Sequence, residues 1–386
     1  GHTDRRDRKV ALGWSRGAKD AANIFGTAVG TRMVRFRTAA LVASLFVVLG
    51  AVAGGAGTTN TVGALGAVNA LGGSFTVALM AGVSVAWMNP SGVPVFTPQA
   101  VVGAIIGWNF FTGSPTDLRV LRHIVTAWVA SPFIAAVVAI LLYLLVRLLL
   151  RRYHIHLLEL DALTRAGLVV AGAFGAYSLG ANNIGNVMGT FAQASPFDDQ
   201  ELAGLTVSGT QQLFLLGGLA IALGIWTNSY RVMRTVGAQV FKLTPILALV
   251  VVLAHSISLF VFSSTGLQAL LIRAGLPTLP LVPVSSSQAI IGAILGVALV
   301  KGGGAGIRAG VLGRIAVGWL VTPVVAGLLS FVALFVMQNV FGVRVSQRPR
   351  ASDLSAVAAP VVSAPGSAAL VRAAEMADPG WRATIP

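Results

Sequence analysis

The chain of 386 residues contains no cysteine and few charged residues. The absence of cysteine excludes disulfides, thiolate metal ligands and a cysteine nucleophile. Charged residues make up 10% of the sequence, whereas soluble domains carry about 25%. Hydrophobic residues reach 55%, and the mean hydropathy is +0.82. This composition excludes an ordinary soluble domain and predicts an integral membrane protein.

Acidic residues are the scarcer charge, with 12 Asp and Glu against 27 Lys and Arg, which gives a net charge of +15. The basic residues stand between apolar runs, as they do in cytoplasmic loops under the positive-inside rule. No basic helix or aromatic platform stands apart from the apolar segments, so a nucleic-acid partner is not expected. The predicted surroundings are the lipid bilayer, and the predicted location is the cytoplasmic (inner) membrane, with several spans.

Apolar runs long enough to approach the roughly 20 residues of a membrane span recur along the chain. The candidate spans are Ala39–Gly57, Ser74–Met88, Ile124–Leu150, Gly167–Leu179, Gln211–Thr227, Ile246–Ser264 and Ile315–Phe341. Between them lie apolar segments interrupted by Gly or Pro, namely Ala21–Val29, Pro94–Phe111, Ile184–Ala192 and Pro283–Val300. We therefore predict an all-α polytopic membrane protein with broken or re-entrant helices.

Three stretches of the first half return in the same order in the second half. "GAKDAANIFGT" (17–27) returns as "GANNIGNVMGT" (180–190), and "VPVFTPQAVVGAIIG" (93–107) as "VPVSSSQAIIGAILG" (282–296). "WVASP" (128–132) returns as "WLVTP" (319–323). Paired broken helices in two homologous halves indicate a transporter site near the middle of the bilayer, where the halves meet.

The repeats divide the chain into five parts. A polar N-terminal segment (1–12) precedes the first transmembrane repeat (13–150), and a polar connecting segment (151–165) precedes the second repeat (166–342). Residues 343–386 are rich in Ala, Ser, Pro and charge, and they are expected to form a disordered tail.

The first repeated motif offers amides and hydroxyls at one-turn spacing: Asn23, Thr27, Asn182, Asn186 and Thr190. Asp and Asn are favoured N-caps, so we expect a half-helix to begin at each motif, inside the membrane. Its positive end and its unpaired N–H groups would attract an anion. Polar packing between helices is the alternative interpretation.

Asp20 is the acidic residue of interest, because the other acidic residues lie in the polar termini or in loops. An ionisable residue inside a membrane segment is a functional-site hypothesis by default. Asp20 would coordinate a coupling cation, such as sodium, or carry a proton. Its neighbour Lys19 would face the anion, replace a second cation, or extend to the membrane interface.

The second repeated motif supplies hydroxyls at the expected start of a half-helix. Ser285, Ser286 and Ser287 follow Pro283, whereas the first half keeps only Thr97, with Phe96 and Pro98 in the other two positions. Gln99 and Gln288 match each other. These groups suit a tetrahedral oxyanion, and helix capping is the alternative. No acid–base pair or metal-ligand cluster is evident, so an enzyme and a cofactor are not expected.

The duplicated motifs resemble the inorganic phosphate transporter (PiT) family, which includes related sulfate permeases. The resemblance covers about residues 13–342, and the signature of each half is matched by Gly17–Ile24 and Gly180–Val187. It implies inverted-topology halves around a midplane site and alternating access, with phosphate carried together with sodium or a proton. By position, the residues that fall on the motif for the coupling ion and substrate are Asp20, Asn23, Asn182, Asn183 and Asn186. Those expected to bind substrate are Lys19, Thr27, Thr97, Gln99, Thr190 and Ser285–Gln288.

Two positions depart from the family pattern, in which Asn stands in place of Lys19 and Asp in place of Asn183. One carboxylate therefore remains where two are usual, which favours a single coupling ion, a proton or uncoupled passage. A sulfate permease of the same fold, a passive anion channel and a scaffold or receptor derived from a transporter remain alternatives. A homodimer is compatible with this architecture by analogy only.

Overall fold

A computed structural model of the chain describes residues 15–66, 68–88, 95–153, 155–195, 197–202, 205–235, 244–302 and 309–347. In this part of the chain nearly all regular structure is helical. The helices are α1 (Ser15–Gly30), α2 (Phe36–Gly54), α3 (Ala56–Leu65), α4 (Leu71–Met88), α5 (Thr97–Thr112), α6 (Leu118–Arg152), α7 (Leu157–Met188), α8 (Gly209–Thr235), α9 (Pro245–Ser263), α10 (Thr265–Arg273), α11 (Ser286–Gly302) and α12 (Ala309–Asn339). A two-stranded antiparallel hairpin, β1 (Gln200–Leu202) and β2 (Leu205–Val207), lies between α7 and α8.

Six helical segments of the described chain are long and apolar enough to cross a bilayer, which confirms a polytopic all-α protein. They are Phe36–Gly54, Leu71–Met88, Leu118–Arg152, Gly209–Thr227, Pro245–Ser263 and Val317–Asn339. Large apolar side chains remain exposed at helical spacing along α2, α6 and α12, for example Leu41, Leu45, Leu141, Leu145 and Leu328. Outward-facing leucines of this kind fit lipid contact.

The expected span at Ala39–Gly57 is divided in the structure, because α2 ends at Gly54 and α3 begins at Ala56. Gly55 stands between them, and its N–H group bonds to the carbonyl oxygen of Ala51. A Cβ atom at Gly55 would lie 2.2 Å from Cγ2 of Ile184, so this close approach to α7 requires glycine. Sequence reasoning did not separate α3 from α2.

The expected break between Gly167–Leu179 and Ile184–Ala192 was wrong. Both lie on one continuous helix of 32 residues, α7, which ends at Met188 and continues as a 3₁₀ turn over Gly189–Phe191. The glycines of this region serve close packing instead: a Cβ atom at Gly180 would lie 2.1 Å from the carbonyl oxygen of Val47 in α2. Small residues at such contacts let membrane helices approach each other.

The matched stretches of each half pack against those of the other half. Gly103 of α5 lies against Pro323 of α12, where an added Cβ atom would be 2.1 Å from the proline carbonyl oxygen. The matched Gly292 of α11 lies against Pro132 of α6 at the same 2.1 Å. Each half therefore places its glycine-bearing helix on the proline-bearing helix of the other half. The starts of α5 and α11 are held by this interlock.

The segment that follows residue 342 returns to the bundle before it leaves the described part of the chain. Val345 is fully buried, and its carbonyl oxygen accepts a hydrogen bond of 3.2 Å from the indole N–H of Trp108 in α5. The tail expected over residues 343–386 thus begins with residues packed against α5. From residue 348 onward it lies outside the described residues.

Candidate functional site

A cavity of about 40 Å³ lies where α1 and α7 meet the first residues of α5 and α11. A volume of about 10–15 Å³ holds one water, so this cavity suits a small ion rather than an organic molecule. It is lined by Asp20, Val85, Val95, Phe96, Thr97, Pro98, Asn183, Val284, Ser285, Ser286 and Ser287. Six of the predicted site residues are therefore brought together: Asp20, Thr97, Asn183, Ser285, Ser286 and Ser287.

Asp20 and Asn183 meet although 163 positions separate them in the sequence. The amide Nδ2 of Asn183 donates to Oδ2 of Asp20 at 2.8 Å. The two residues occupy matched positions of the first repeated motif, so the repeat itself brings them face to face. Among the described residues that line the cavity, Asp20 supplies the only carboxylate. A hard cation prefers oxygen ligands of this kind.

Asn182 holds the segment that leads into α11 through two hydrogen bonds. Its Nδ2 donates to the carbonyl oxygen of Val284, and its Oδ1 accepts from the N–H group of Val284, both at 2.8 Å. The same Nδ2 lies 3.1 Å from Oδ1 of Asn183. Because Asn182 is fully buried, these bonds are shielded from water. Asn182 therefore fixes the backbone of the segment that forms the cavity wall, without lining the cavity itself.

The serines Ser285, Ser286 and Ser287 stand at the start of α11, as the sequence predicted. Ser285 precedes the helix, and its hydroxyl lies 3.4 Å from the N–H group of Gln288, a capping contact. Ser286 is the first helical residue, and its hydroxyl oxygen accepts a hydrogen bond of 3.1 Å from Nδ2 of Asn23. The first N–H groups of a helix have no partner within it, so this end of α11 favours an anion.

The matching start of α5 is poorer in donors. Thr97 begins the helix, and Pro98 follows at the second position. Proline has no N–H group, so one donor is absent that Ser287 retains at the equivalent position of α11. The preceding Phe96 provides no side-chain cap. Hydroxyl and N–H donors are thus supplied mainly by the second half of the chain, whereas the carboxylate comes from the first.

Gln99 and Gln288 are buried at matched positions of α5 and α11 but do not line the cavity. Neither amide has a hydrogen-bond partner for its nitrogen or its oxygen. The Oδ1 of Asn186, also buried, is likewise unpaired. Buried polar groups normally find partners, so these three side chains retain polar atoms that a ligand or water can bind.

Two further predicted residues, Thr27 and Thr190, do not line the cavity. Thr27 follows Asp20 by seven positions, about 10 Å along α1, and Thr190 lies in the 3₁₀ turn beyond the end of α7. The carbonyl oxygen of Thr190 accepts from the hydroxyl of Ser74 at 2.7 Å, and that of Thr27 accepts from Thr31 at 2.7 Å. Lys19 lies in α1, but its side chain is outside the described residues.

The expectation that a half-helix begins at the second copy of the first-type motif (180–190) was wrong, whereas α1 begins at Ser15, two residues before the first copy (17–27). Asp20 and Asn23 lie inside α1, and Asn182, Asn183 and Asn186 lie near the end of α7. These polar side chains therefore do not cap helices. Asp20, Asn23, Asn182 and Asn183 instead project from within helices toward the starts of α5 and α11, which provide the helix N-termini of the site.

His255 was not among the residues that the sequence analysis singled out. His255 is fully buried in α9, and its Nε2 lies 2.9 Å from the hydroxyl oxygen of Ser286. A histidine inside an apolar run was the available signal. No spacing in the sequence could link it to a serine 31 positions later.

The geometry can be compared with known proteins. A sequence model of the phosphate transporter family matches residues 16–269 and 275–379. This match extends beyond residue 342, where the resemblance seen in the motifs ended. A protein designated a phosphate permease in Methanocaldococcus jannaschii is 27% identical over 82% of this chain and 91% of its own length. One designated a low-affinity inorganic phosphate transporter in Bacillus subtilis is 23% identical over 86% of this chain and 96% of its own length.

A solved structure described as the sodium-dependent phosphate transporter shares the fold, with a TM-score of 0.63 and 21% identity. The alignment covers 86% of this chain and 97% of that one. These proteins are permeases and transporters, so the prediction that the chain is not an enzyme is confirmed, as is the resemblance drawn from the motifs. With the family match spanning both halves, the chain belongs to the phosphate transporter family.

Proposed function

We propose that this protein is a secondary transporter that moves inorganic phosphate across the cytoplasmic membrane by alternating access, coupled to sodium or a proton. The observation that carries the proposal is the cavity between the two halves, where Asp20 and Asn183 face the serines of α11. Donors at a helix start suit the oxygens of an oxyanion. The carboxylate suits a coupling cation or the proton of hydrogen phosphate.

A phosphate substrate and a coupling cation would use different parts of this cavity. Ser286 and Ser287 stand at the positive end of α11, which favours the anion. Asp20 accepts a hydrogen bond from Asn183 and belongs to the half that offers fewer donors. Its carboxylate would therefore hold the cation. The sodium dependence named for the similar solved structure is consistent with sodium in that role. A single carboxylate favours one coupling ion.

Sulfate is the alternative substrate, because the cavity offers many donors and one carboxylate. Hydrogen phosphate carries a proton that requires an acceptor, whereas sulfate carries none. If Asp20 is occupied by a cation, the remaining wall of hydroxyl and N–H groups would serve sulfate equally well. The family match and its relatives favour phosphate.

Inverted halves are supported first by the direction of α5. Near the end of α5, Nδ2 of Asn109 donates to the carbonyl oxygen of Leu65, the last residue of α3, at 3.3 Å. Two residues earlier in α3, a Cβ atom at Gly63 would lie 3.5 Å from the carbonyl oxygen of Gly189, just beyond the end of α7. α5 and α7 thus end at the same side of the bundle.

The direction of α11 is the opposite one. Gly292 and Gly296 lie beside Pro132 and Ala136, so α11 runs parallel to α6. α6 in turn is antiparallel to α7, because its last residue and the first residue of α7 are separated by residues 153–156 only. The first turns of α6 line a surface cavity together with α3, and α3 ends beside the end of α7. Opposite directions for the matched α5 and α11 support the inverted arrangement.

The ends of the bundle carry different charge, which supports an orientation. The side where α2 and α7 begin and α6 ends is rich in arginine, with Arg32, Arg35, Arg37, Arg147, Arg151, Arg152 and Arg165 against the acidic Glu159 and Asp161. The opposite side carries acidic residues besides arginines: Asp117, Asp198, Asp199 and Glu201. Under the positive-inside rule, the arginine-rich side would face the cytoplasm.

Uptake into proteoliposomes tests the proposed function. Purified protein is reconstituted, and radiolabelled phosphate uptake is followed with excess unlabelled sulfate, under a sodium gradient, a proton gradient or neither. We expect saturable uptake that resists sulfate and that rises with one of the two gradients. Uptake erased by sulfate would establish a sulfate permease, and equal flux without any gradient would establish a passive channel. Absence of uptake would overturn the transport proposal.

A further inference from the structure

We propose that His255 is a positioning residue that fixes the hydroxyl of Ser286 as a hydrogen-bond donor toward the bound oxyanion. This inference rests on the proposed function and goes beyond it by naming how one donor of the site is set. His255 does not line the cavity, whereas Ser286 does. The hydrogen bond to Ser286 is the contact that joins His255 to the cavity wall.

The hydrogen bonds around Ser286 determine which way its single hydrogen can point. A serine hydroxyl has one hydrogen to donate and two lone pairs to accept with. Nδ2 of Asn23 occupies one lone pair, at 3.1 Å. The remaining neighbour is Nε2 of His255, at 2.9 Å. The role of that nitrogen decides what Ser286 can offer to the cavity.

With its hydrogen on Nε2, His255 donates to the second lone pair of Ser286. Both lone pairs are then taken, and the hydroxyl hydrogen is left for the cavity. With its hydrogen on Nδ1, His255 would accept from Ser286, which would then present no hydrogen to an anion. In that form the Nδ1–H group would also be a buried donor without an acceptor, because Nδ1 has no partner in the structure. The Nε2–H form is therefore favoured, most strongly when an anion is bound.

The hydrogen bonds around Ser286 favour binding of an anion over a cation. Two donors, one from α1 and one from α9, converge on the same oxygen, so Ser286 becomes a directed donor rather than a hydroxyl that rotates freely. A serine without these neighbours could equally turn a lone pair toward the ion. A preorganised donor binds a charged acceptor more strongly, because less reorganisation is required on binding.

A double-mutant cycle between His255 and Ser286 tests this inference. The variants are His255→Leu, Ser286→Ala and the double variant, and KM and Vmax for phosphate are measured in proteoliposomes. Loss of one hydrogen bond to a charged group raises KM about tenfold. We expect each single variant to show this increase, with Vmax changed less. The double variant should also show about tenfold rather than a hundredfold, because His255 acts on the ion only by orienting the hydroxyl that Ser286→Ala removes.

Two further variants separate positioning from packing. His255→Gln retains an N–H donor at the reach of Nε2, and it should restore KM to within about threefold of wild type. His255→Asn is too short to reach Ser286 and should not. Ser256→Ala is the matched control, because this buried hydroxyl donates to Val252 of its own helix at 2.7 Å, and its loss should leave KM unchanged. If His255→Leu does not fold, the comparison of KM between His255→Gln and His255→Asn tests the inference.

The outcomes distinguish this inference from the proposed function. A hundredfold increase in the double variant would mean that His255 acts independently of Ser286 and would overturn the inference alone. Equal KM for the Gln and Asn variants would also overturn it. If the wild-type protein neither binds nor transports phosphate, the proposed function fails and the inference fails with it.

Discussion

Replacement of Asp20 by Asn is expected to abolish gradient-driven accumulation of phosphate while the protein remains folded. Asp20 supplies the only carboxylate among the described residues that line the cavity, and its Oδ2 accepts from Asn183 at 2.8 Å. Asparagine has nearly the same shape and can still accept that bond, but it cannot carry the negative charge that attracts a cation or a proton. Uptake with and without the gradient, in the proteoliposome assay, measures the effect.

One control variant and one variant with the opposite change of charge accompany Asp20→Asn. Asp117→Asn removes a carboxylate at the start of α6, where Asp117 caps the helix, and Asn caps equally well. Its uptake should equal that of wild type. Asn183→Asp places a second carboxylate opposite Asp20 and should increase the dependence on the coupling cation. Wild-type accumulation by Asp20→Asn would contradict the role assigned to this residue.

Replacement of Asn182 by Ala is expected to raise the KM for phosphate at least about tenfold and to lower stability. Asn182 bonds both backbone groups of Val284, and its removal leaves them buried without partners. Each such group costs about 1–3 kcal/mol. The segment that presents Ser285, Ser286 and Ser287 would then lose its position. Thermal unfolding in detergent and uptake kinetics measure the two effects.

Asn339→Ala provides the matched change at a position without such a role. Asn339 is exposed at the end of α12, where its amide donates to the carbonyl oxygen of Phe335 in the same helix. Its replacement should alter neither the unfolding temperature nor KM by a measurable amount. An Asn182→Ala protein that behaves like Asn339→Ala would show that the serine segment is held by other contacts.

Composition and the internal repeat predicted the helical membrane fold and the meeting of its two halves. They did so because apolar length reports membrane burial directly, and because matched motifs must occupy matched places. The starts of α5 at Thr97 and of α11 at Ser286 followed from the Pro and hydroxyl residues before them. The structure brings Asp20 and Asn183 to these starts, and their part in ion binding stays a prediction.

Helix ends in the first-type motif were not predictable from the same reasoning. Gly, Asn and Asp are common at helix termini in water, and the motif around Asn182 contains them in abundance. In this protein they lie within α7, where small residues allow contact with α2 and α3 and the polar side chains reach across to the neighbouring segment. Tertiary packing, which the sequence does not report locally, decided the outcome.

The contact between His255 and Ser286 and the clamp of Asn182 on Val284 also lay beyond sequence reasoning. His255 on α9 meets Ser286 on α11, and Asn182 on α7 bonds the backbone of Val284 before α11, a partner that carries no sequence signal. A single sequence shows which polar residues are unusual for a membrane segment. It does not show which of them meet.

A crystal structure with saturating arsenate, an anomalously scattering analogue of phosphate, tests the central claim most directly. The account predicts an anomalous peak in the cavity between the two halves, within hydrogen-bond distance of the Ser286 hydroxyl and next to Asp20 and Asn183. It further predicts a weaker peak in crystals of Asn182→Ala at an arsenate concentration that just saturates the wild-type site. A peak elsewhere in the protein, or none at saturating arsenate, would contradict the claim that the two halves form an oxyanion site here.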